Sequence, residues 1–452
     1  MKLPVSTAPA PDAASMQCIA CGRVQADPGG WYQCAACGDL LELIPPQAPS
    51  AAIVQSWPAL WRSRRSSRLA EDLSGVWRFR ELLPHFPLAP RGIVTLREGN
   101  TPLYDLPRLA RAAGVAAVWA KHQGMNPTGS FKDLGMTVAV TRAQALGAQW
   151  VACASTGNTS ASMAAYAAQA GLRSLVLIPA GKIAWGKLAQ SLDYGALTCQ
   201  LDTDFDGCVR ILRELVRRAP VYVVNSINPY RVEGQKIMAA EILEQMAWQS
   251  PDHILIPGGN LANSSALGKG WLELAALGLA AKIPRISIIQ AEGASPLVDC
   301  WRDWKGEKLQ PRPARTLATA IQIGNPASWK KAVRVLRSTG GECLAVNEME
   351  IAQAKAEIGR QGIGCEPASA VTWAGAKKLI HSGWIQPGQS VMLILTGHTL
   401  KDAEYILGFH RGEIPGPESG SQAALAGLRH PPRQLPATVE AVAAALETAG
   451  RP

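Results

Sequence analysis

From about residue 115 to residue 397 the chain repeats one pattern: a short apolar run, a turn rich in small residues, then a helical stretch. VAAVWAKHQ, SLVLIPA, VYVVN, HILIPGG, ISIIQAEG and VMLILTG read as buried strands. Between them, TSASMAAYAAQAG, KIAWGKLAQSLDYGA and NSSALGKGWLELAALG read as amphipathic helices, several closing at glycine. Alternation of this kind predicts an α/β architecture, with parallel sheets carrying helices on both faces. In such sheets ligands collect where strands end and helices begin. The polar, glycine-rich segments of this chain fall at those junctions.

At 452 residues the chain exceeds one ordinary domain, which predicts two or three compact units. Apolar residues at 47% against 18% charged supply a large core, and 42 Gly with 32 Pro suit a loop-rich enzyme better than a coiled coil. The formal charge is +10, and Arg62, Arg64, Arg65, Arg68, Arg78 and Arg80 crowd one stretch. Such a face attracts nucleic acid or acidic phosphorylated metabolites. No aromatic ladder or nucleic-acid module accompanies it, so the small metabolite is the expected partner and nucleic acid is not. No run reaches the roughly 18 apolar residues that span a bilayer. The opening MKLPVSTAPAPDAAS lacks the regions of a secretory leader. Cys153, Cys199, Cys208, Cys300, Cys343 and Cys365 are scattered without paired spacing. A reduced, cytoplasmic setting is expected.

The other four cysteines differ. Cys18, Cys21, Cys34 and Cys37 form CIAC-x12-CAAC, with Gly22 and Gly38 directly after each pair. Two such knuckles place four thiolates around one tetrahedral ion, and the glycines let backbone amides turn toward sulfur. Coincidence or a redox pair is the alternative; the doubled spacing favours a structural zinc ribbon, closed to catalysis.

Four further segments carry chemistry. In Asn126-Pro127-Thr128-Gly129-Ser130-Phe131-Lys132-Asp133 a lysine follows a tight turn at the start of a helix. The helix dipole and burial there lower an ammonium pKa, which suits imine formation and proton transfer. A surface lysine in a first helical turn would look the same. Ser155-Thr156-Gly157-Asn158-Thr159-Ser160 joins a strand to a helix and offers amides and hydroxyls to a carboxylate, or an ordinary N-cap. Pro257-Gly258-Gly259-Asn260-Leu261-Ala262-Asn263 follows HILI and opens a helix, an arrangement that presents N–H groups to a phosphate. Many strand-to-helix loops share that look. Leu395-Thr396-Gly397-His398 ends VMLIL with a hydroxyl at the sheet's C-terminal edge.

Read in order, these segments resemble the fold-type-II pyridoxal-phosphate enzymes and, more narrowly, the threonine synthases of the bacterial and plant type. The resemblance runs from about Ser74 to Asp402, through EGNTPL, KHQGMNPTGSFKDLGM, ASTGNTSAS, NSINPYRVEGQK, PGGNLANSSA, ATAIQIGNPASW, EPASA and LTGHTLKD. NPTGSFKD is shared widely in the fold; its combination with NSINPYRVEGQK and ATAIQIGNP is more specific. The resemblance implies that Lys132 holds pyridoxal 5'-phosphate as a Schiff base, beside Phe131. Asn158 would bond the cofactor's phenolic oxygen, and Gly259, Asn260, Leu261, Ala262 and Asn263 would form its phosphate cup. Thr396 would face the ring nitrogen. O-Phospho-L-homoserine and water would become L-threonine and phosphate, Lys132 moving the Cα and Cβ protons. Thr101, Ser155, Thr156, Lys182, Lys187, Asn225, Asn228 and Arg231 would face the substrate.

Leu134 and Gln322 stand where the family usually has arginine, Gln123 where it often has an acid, and Ala262 where glycine is usual. Two lost cations bear directly on a phosphorylated substrate. A paralogue running replacement or elimination on another amino acid, such as a cysteate synthase joining phosphoserine and sulfite, is the alternative enzyme. A zinc-ribbon protein binding nucleic acid is the alternative outside enzymes. The expected organisation is a flexible start and ribbon at 1–45, and a large cofactor-binding subdomain at 46–144 and 226–412. A small mobile subdomain at 145–225 and a C-terminal tail with a short helix at 413–452 complete it, in a homodimer.

Overall fold

The structure is a computed structural model that describes residues 15–45, 47–83, 92–181, 185–416 and 423–448. Thirteen strands among these residues form three sheets. A small antiparallel sheet holds β1 (Ser15–Cys18), β2 (Val24–Ala26) and β3 (Leu41–Leu43) in the order β2-β1-β3. The largest contains β4 (Leu103–Asp105), β5 (Ala117–His122), β10 (His253–Pro257), β11 (Arg285–Ala291), β12 (Cys343–Val346) and β13 (Ser390–Leu395). Its order is β12-β11-β10-β13-β5-β4, parallel except for β4 against β5. The third sheet is all parallel, β8-β7-β6-β9, from β6 (Trp150–Ala154), β7 (Arg173–Pro179), β8 (Leu197–Leu201) and β9 (Val221–Val223).

The chain therefore leaves the large sheet after β5, builds the whole four-stranded sheet, and returns at β10. Strands β10 and β11 are buried almost throughout, because helices cover both faces. That is why they stand out as continuous apolar runs. Strand β8, LTCQL, is half exposed and β4 is three residues long, so neither carries such a signal.

Three helices pack through the centre: Lys132–Ala145, Pro229–Gln245 and Ala262–Ala276. Their approach leaves no room for side chains. A Cβ at Gly234 would lie 2.0 Å from the Leu134 carbonyl oxygen, and one at Gly270 would lie 2.3 Å from that of Lys236. The central helix is buried from Pro229 to Leu243, charges included. Burial raises the Glu233 carboxyl, but Lys236 and Lys269 at 2.5 and 2.7 Å outweigh it and hold it at about 2.

Four of the six crowded arginines pair with acids. Arg64 binds Glu81 and Asp72, Arg80 binds Asp72 at 2.7 Å, and Arg65 and the buried Arg78 share Glu244 at 2.7 Å. The three-stranded sheet sits on the body through specific bonds. Tyr32 donates to Tyr222 of β9 at 2.8 Å, and Asp27 accepts from Tyr230 at 2.5 Å and from Arg142 at 3.1 Å. Glu42 pairs with Arg334, Asp39 with Lys330, and the Leu41 carbonyl accepts from Lys331.

Candidate active site

The turn that delivers Lys132 is fixed by Asp133. Its buried carboxylate accepts from the Thr128 N–H at 2.7 Å, the Thr128 hydroxyl at 2.6 Å and Ser162 at 2.6 Å. Burial outweighs these bonds and lifts Asp133 to about 6. The turn lies on the end of β13: Phe131 N–H donates to the Thr396 carbonyl at 3.0 Å, and His398 N–H to Gly129 at 2.9 Å. Gly129 has φ +82°, a conformation that glycine adopts without strain. Lys132 opens its helix with Nζ 4.3 Å from the centre of the Phe131 ring. No hydrogen bond holds that amine among the described residues. Desolvation first, and then the charge of Arg231, lower it to about 7, with Glu366 opposing. An amine of that kind is half neutral near pH 7 and able to attack a carbonyl.

Asn158 begins the helix Asn158–Gln169 after β6, and Thr396 follows β13, so the two come from different sheets. One carboxylate joins them: Glu366 accepts from Asn158 Nδ2 at 3.1 Å and from Thr396 Oγ1 at 3.0 Å. At the end of β10, the loop 258–263 leads into the helix Ala262–Ala276, with Leu261 at φ +66°. Both side-chain polar atoms of Asn263 are buried there without a partner among the described residues. A Cβ on Gly259 would meet Ile321 Cα at 3.2 Å, so the loop lies close on the 319–321 turn. Unpartnered polar atoms at the head of a 15-residue helix fit a phosphate. Asn260 is occupied otherwise, donating to Ser226 at 2.8 Å and accepting from Ala327 at 2.7 Å. Its side chain braces the loop, and its backbone carbonyl accepts from the Ser328 N–H at 3.3 Å.

The expected substrate residues divide. Asn225 exchanges two bonds with the Ala154 backbone at 3.1 Å, and Asn228 caps the helix Pro229–Gln245 while donating to Val223. Both are committed to structure in this form. Arg231 donates from one nitrogen to the Val224 carbonyl at 3.0 Å; its Nε and Nη2 are buried without partners among the described residues. Burial lowers even this guanidinium, to about 10. Thr101 is buried against Glu241 and accepts from Gln123 at 3.2 Å. Ser155 Oγ accepts from the Gly157 N–H at 3.3 Å, and Thr156 beside it is half-buried. Lys182 and the side chain of Lys187 lie outside the described residues. Of the departures, Leu134 is core, Gln322 is exposed and bonded to the Ala314 carbonyl, and Gln123 also accepts from Asn126.

Sequence reasoning missed Glu366 and Lys401. Glu366 lies inside EPASA, and no local pattern marks it as a bridge. Lys401 lies over Gly129, its Cε 2.9 Å from where a Cβ would stand, and donates to Gln190 beyond β7.

The four ribbon thiols lie within 4.8 Å of one another, with pairs at 3.4, 3.6 and 3.7 Å. Bonds of about 2.3 Å to one tetrahedral ion imply sulfur separations of about 3.8 Å. Backbone N–H groups of Cys37 and Ala36 lead in lowering the Cys34 thiol to about 7. The donor set and its spacing fit zinc.

A lysine of lowered pKa at the C-terminal edge of a parallel sheet, with a phosphate-fitting helix head, defines the chain as a fold-type-II pyridoxal-phosphate enzyme. The family model of pyridoxal-phosphate dependent enzymes matches residues 94–397. A threonine synthase of Methanocaldococcus jannaschii is 42% identical over 389 residues, 86% of this chain and 93% of that protein. One of Mycobacterium bovis is 46% identical over 316 residues, 70% of this chain and 85% of that protein. The solved structure of diaminopropionate ammonia lyase from Escherichia coli aligns with a TM-score of 0.60 at 19% identity, over 80% of this chain and 93% of that one. At that identity it shows the fold alone. The chain belongs to the threonine synthase family.

Proposed function

We propose that the chain converts O-phospho-L-homoserine and water to L-threonine and phosphate, with pyridoxal phosphate carried on Lys132. When bound, the cofactor supplies an electron-withdrawing ring that stabilises negative charge at the substrate's α-carbon. The amine of Lys132 carries protons to and from the neighbouring carbons, as its lowered pKa allows. Asn263 and the first N–H groups of its helix hold the cofactor's phosphate. Ser155, Thr156 and the head of the Asn158 helix hold the substrate carboxylate.

The observation that carries the substrate is Arg231. Two buried nitrogens, Nε and Nη2, without partners among the described residues and beside Lys132, are a strong donor set for a phosphoryl oxyanion. Arg231 thus offers a cation of its own, whereas Leu134 and Gln322 are uncharged. Purified, cofactor-loaded protein is expected to release inorganic phosphate from phosphohomoserine and to form threonine. Release only from phosphoserine with sulfite would sink this substrate and favour the cysteate synthase reading. The same reading includes residues 145–225 as the unit that closes over substrate, zinc in the ribbon, and a homodimer in the cytoplasm.

A further inference from the structure

Counting protons around Thr396 limits what its hydroxyl can do. A threonine hydroxyl has one proton and two lone pairs. Ser369 Oγ lies 3.0 Å from Thr396 Oγ1 and already accepts from the N–H groups of Thr396 at 2.8 Å and Gly397 at 3.2 Å. With its lone pairs taken, Ser369 donates to Thr396. The single Thr396 proton then has two destinations: the Glu366 carboxyl at 3.0 Å, or a ligand atom beside Thr396. The Glu366 carboxyl cannot swing away. It is pinned by Asn158 and lies against Gly397, where a Cβ would meet its carboxyl carbon at 2.3 Å.

We propose that Glu366 is a positioning residue that sets which way the Thr396 hydroxyl points, and so whether Thr396 donates to the cofactor's ring nitrogen or accepts from it. The inference rests on the reading that Thr396 faces that nitrogen. When Glu366 holds a proton, its O–H donates to Thr396, and the Thr396 O–H donates onward to an unprotonated nitrogen. When Glu366 is ionised, the Thr396 O–H turns back to the carboxylate and presents a lone pair, which accepts from a protonated nitrogen. One proton passing along the chain interconverts the two: the Glu366 O–H breaks, the Thr396 O–H is exchanged, and an N–H forms. That exchange gains or loses no proton or electron. Raising the pH removes the one shared proton to solvent and leaves Glu366 ionised and the nitrogen unprotonated, which makes the wild-type balance depend on pH.

The surroundings pull Glu366 in both directions, with burial prevailing. Burial raises Glu366, while Asn158, Thr396 and the charges of Lys401 and Lys132 oppose it. Lys401 comes from the turn after β13 and itself faces Asp133; Lys132 comes from its own helix, with Arg231 beyond it. Cys365, next in sequence, is kept neutral by burial, at about 12.

The test loads wild type, Glu366→Gln and Thr396→Val with cofactor carrying nitrogen-15 in the ring and follows its resonance across neutral pH. In Glu366→Gln the amide oxygen must face the Asn158 donor, so the amide N–H faces Thr396 and fixes it as an outward donor. The expected result is a resonance that moves with pH in wild type and stays at the unprotonated value in Glu366→Gln. Thr396→Val is expected to lose the wild-type pH dependence. Coincident resonances in wild type and Glu366→Gln at every pH overturn the proposal, as does a wild-type profile in Thr396→Val. Loading that does not depend on Lys132 is a separate result, which sinks the cofactor reading and the proposal with it.

Discussion

The loop at 258–263 and the side chain of Arg231 are both suited to a phosphoryl group, by different physics. The loop offers backbone N–H groups and one neutral amide, Asn263. Arg231 offers a full charge, desolvated and with two donors unused among the described residues. Neutral dipoles cost less to bury than a full charge, which suits a group that stays. A buried cation is costly until its anion arrives, and it depresses Lys132 meanwhile. That suits a group that comes and goes. Under the proposed function, the contrast would separate a resident phosphate from a passing one by the kind of donor each meets.

Removing the amine that serves both sites gives the largest effect. Lys132→Ala is expected to lower kcat by at least about 10⁴-fold and to abolish the near-visible absorbance of the loaded protein. The contrast itself is tested next. Arg231→Met is expected to cut kcat/KM for phosphohomoserine by about 10²–10³-fold while leaving cofactor affinity near wild type. A loss of cofactor with little change in kcat/KM would reverse the two assignments.

Titration of Lys132 sharpens the same point. Only the neutral amine attacks the cofactor's carbonyl, so with a midpoint at about 7 attachment accelerates as pH rises and then levels above neutrality. At two pH units below the midpoint the rate is expected to be about a hundredfold lower. Arg231→Met removes a neighbouring positive charge and is expected to move the midpoint upward. An attachment rate that keeps climbing to about pH 10 would show an ordinary lysine. Asn263→Ala is expected to weaken cofactor binding about five- to tenfold, measured by equilibrium dialysis, with KM for substrate little changed. Smallest for catalysis is the ribbon: Cys37→Ser is expected to lower Tm, by roughly 1 °C per kcal/mol lost, with the cofactor spectrum intact.

Legibility in the sequence followed locality. Lys132, the 258–263 loop and Thr396 all sit where an apolar run gives way to a small-residue turn, a signal contained in a few neighbouring positions. Glu366 is different, because its partners are 208 and 30 positions away and only strand order brings them together. The arginines from Arg62 to Arg80 show the same limit. As a string they suggest a basic surface, yet Arg78 reaches Glu244, 166 positions later. Asn225 and Asn228 were picked out by motif, and the structure shows each bonded to backbone instead. Polar type alone does not tell a bracing amide from a binding one.

The ribbon's grip on the body sets an order of events at birth. Its strands are made before the segments they dock on: Asp27 waits for Arg142 and Tyr230, and Asp39 and Glu42 wait for Lys330 and Arg334, 291 and 292 positions downstream. The ribbon therefore completes its seat only after those later segments exist. Until most of the protein has been made, its four-cysteine cluster must hold itself together without those contacts.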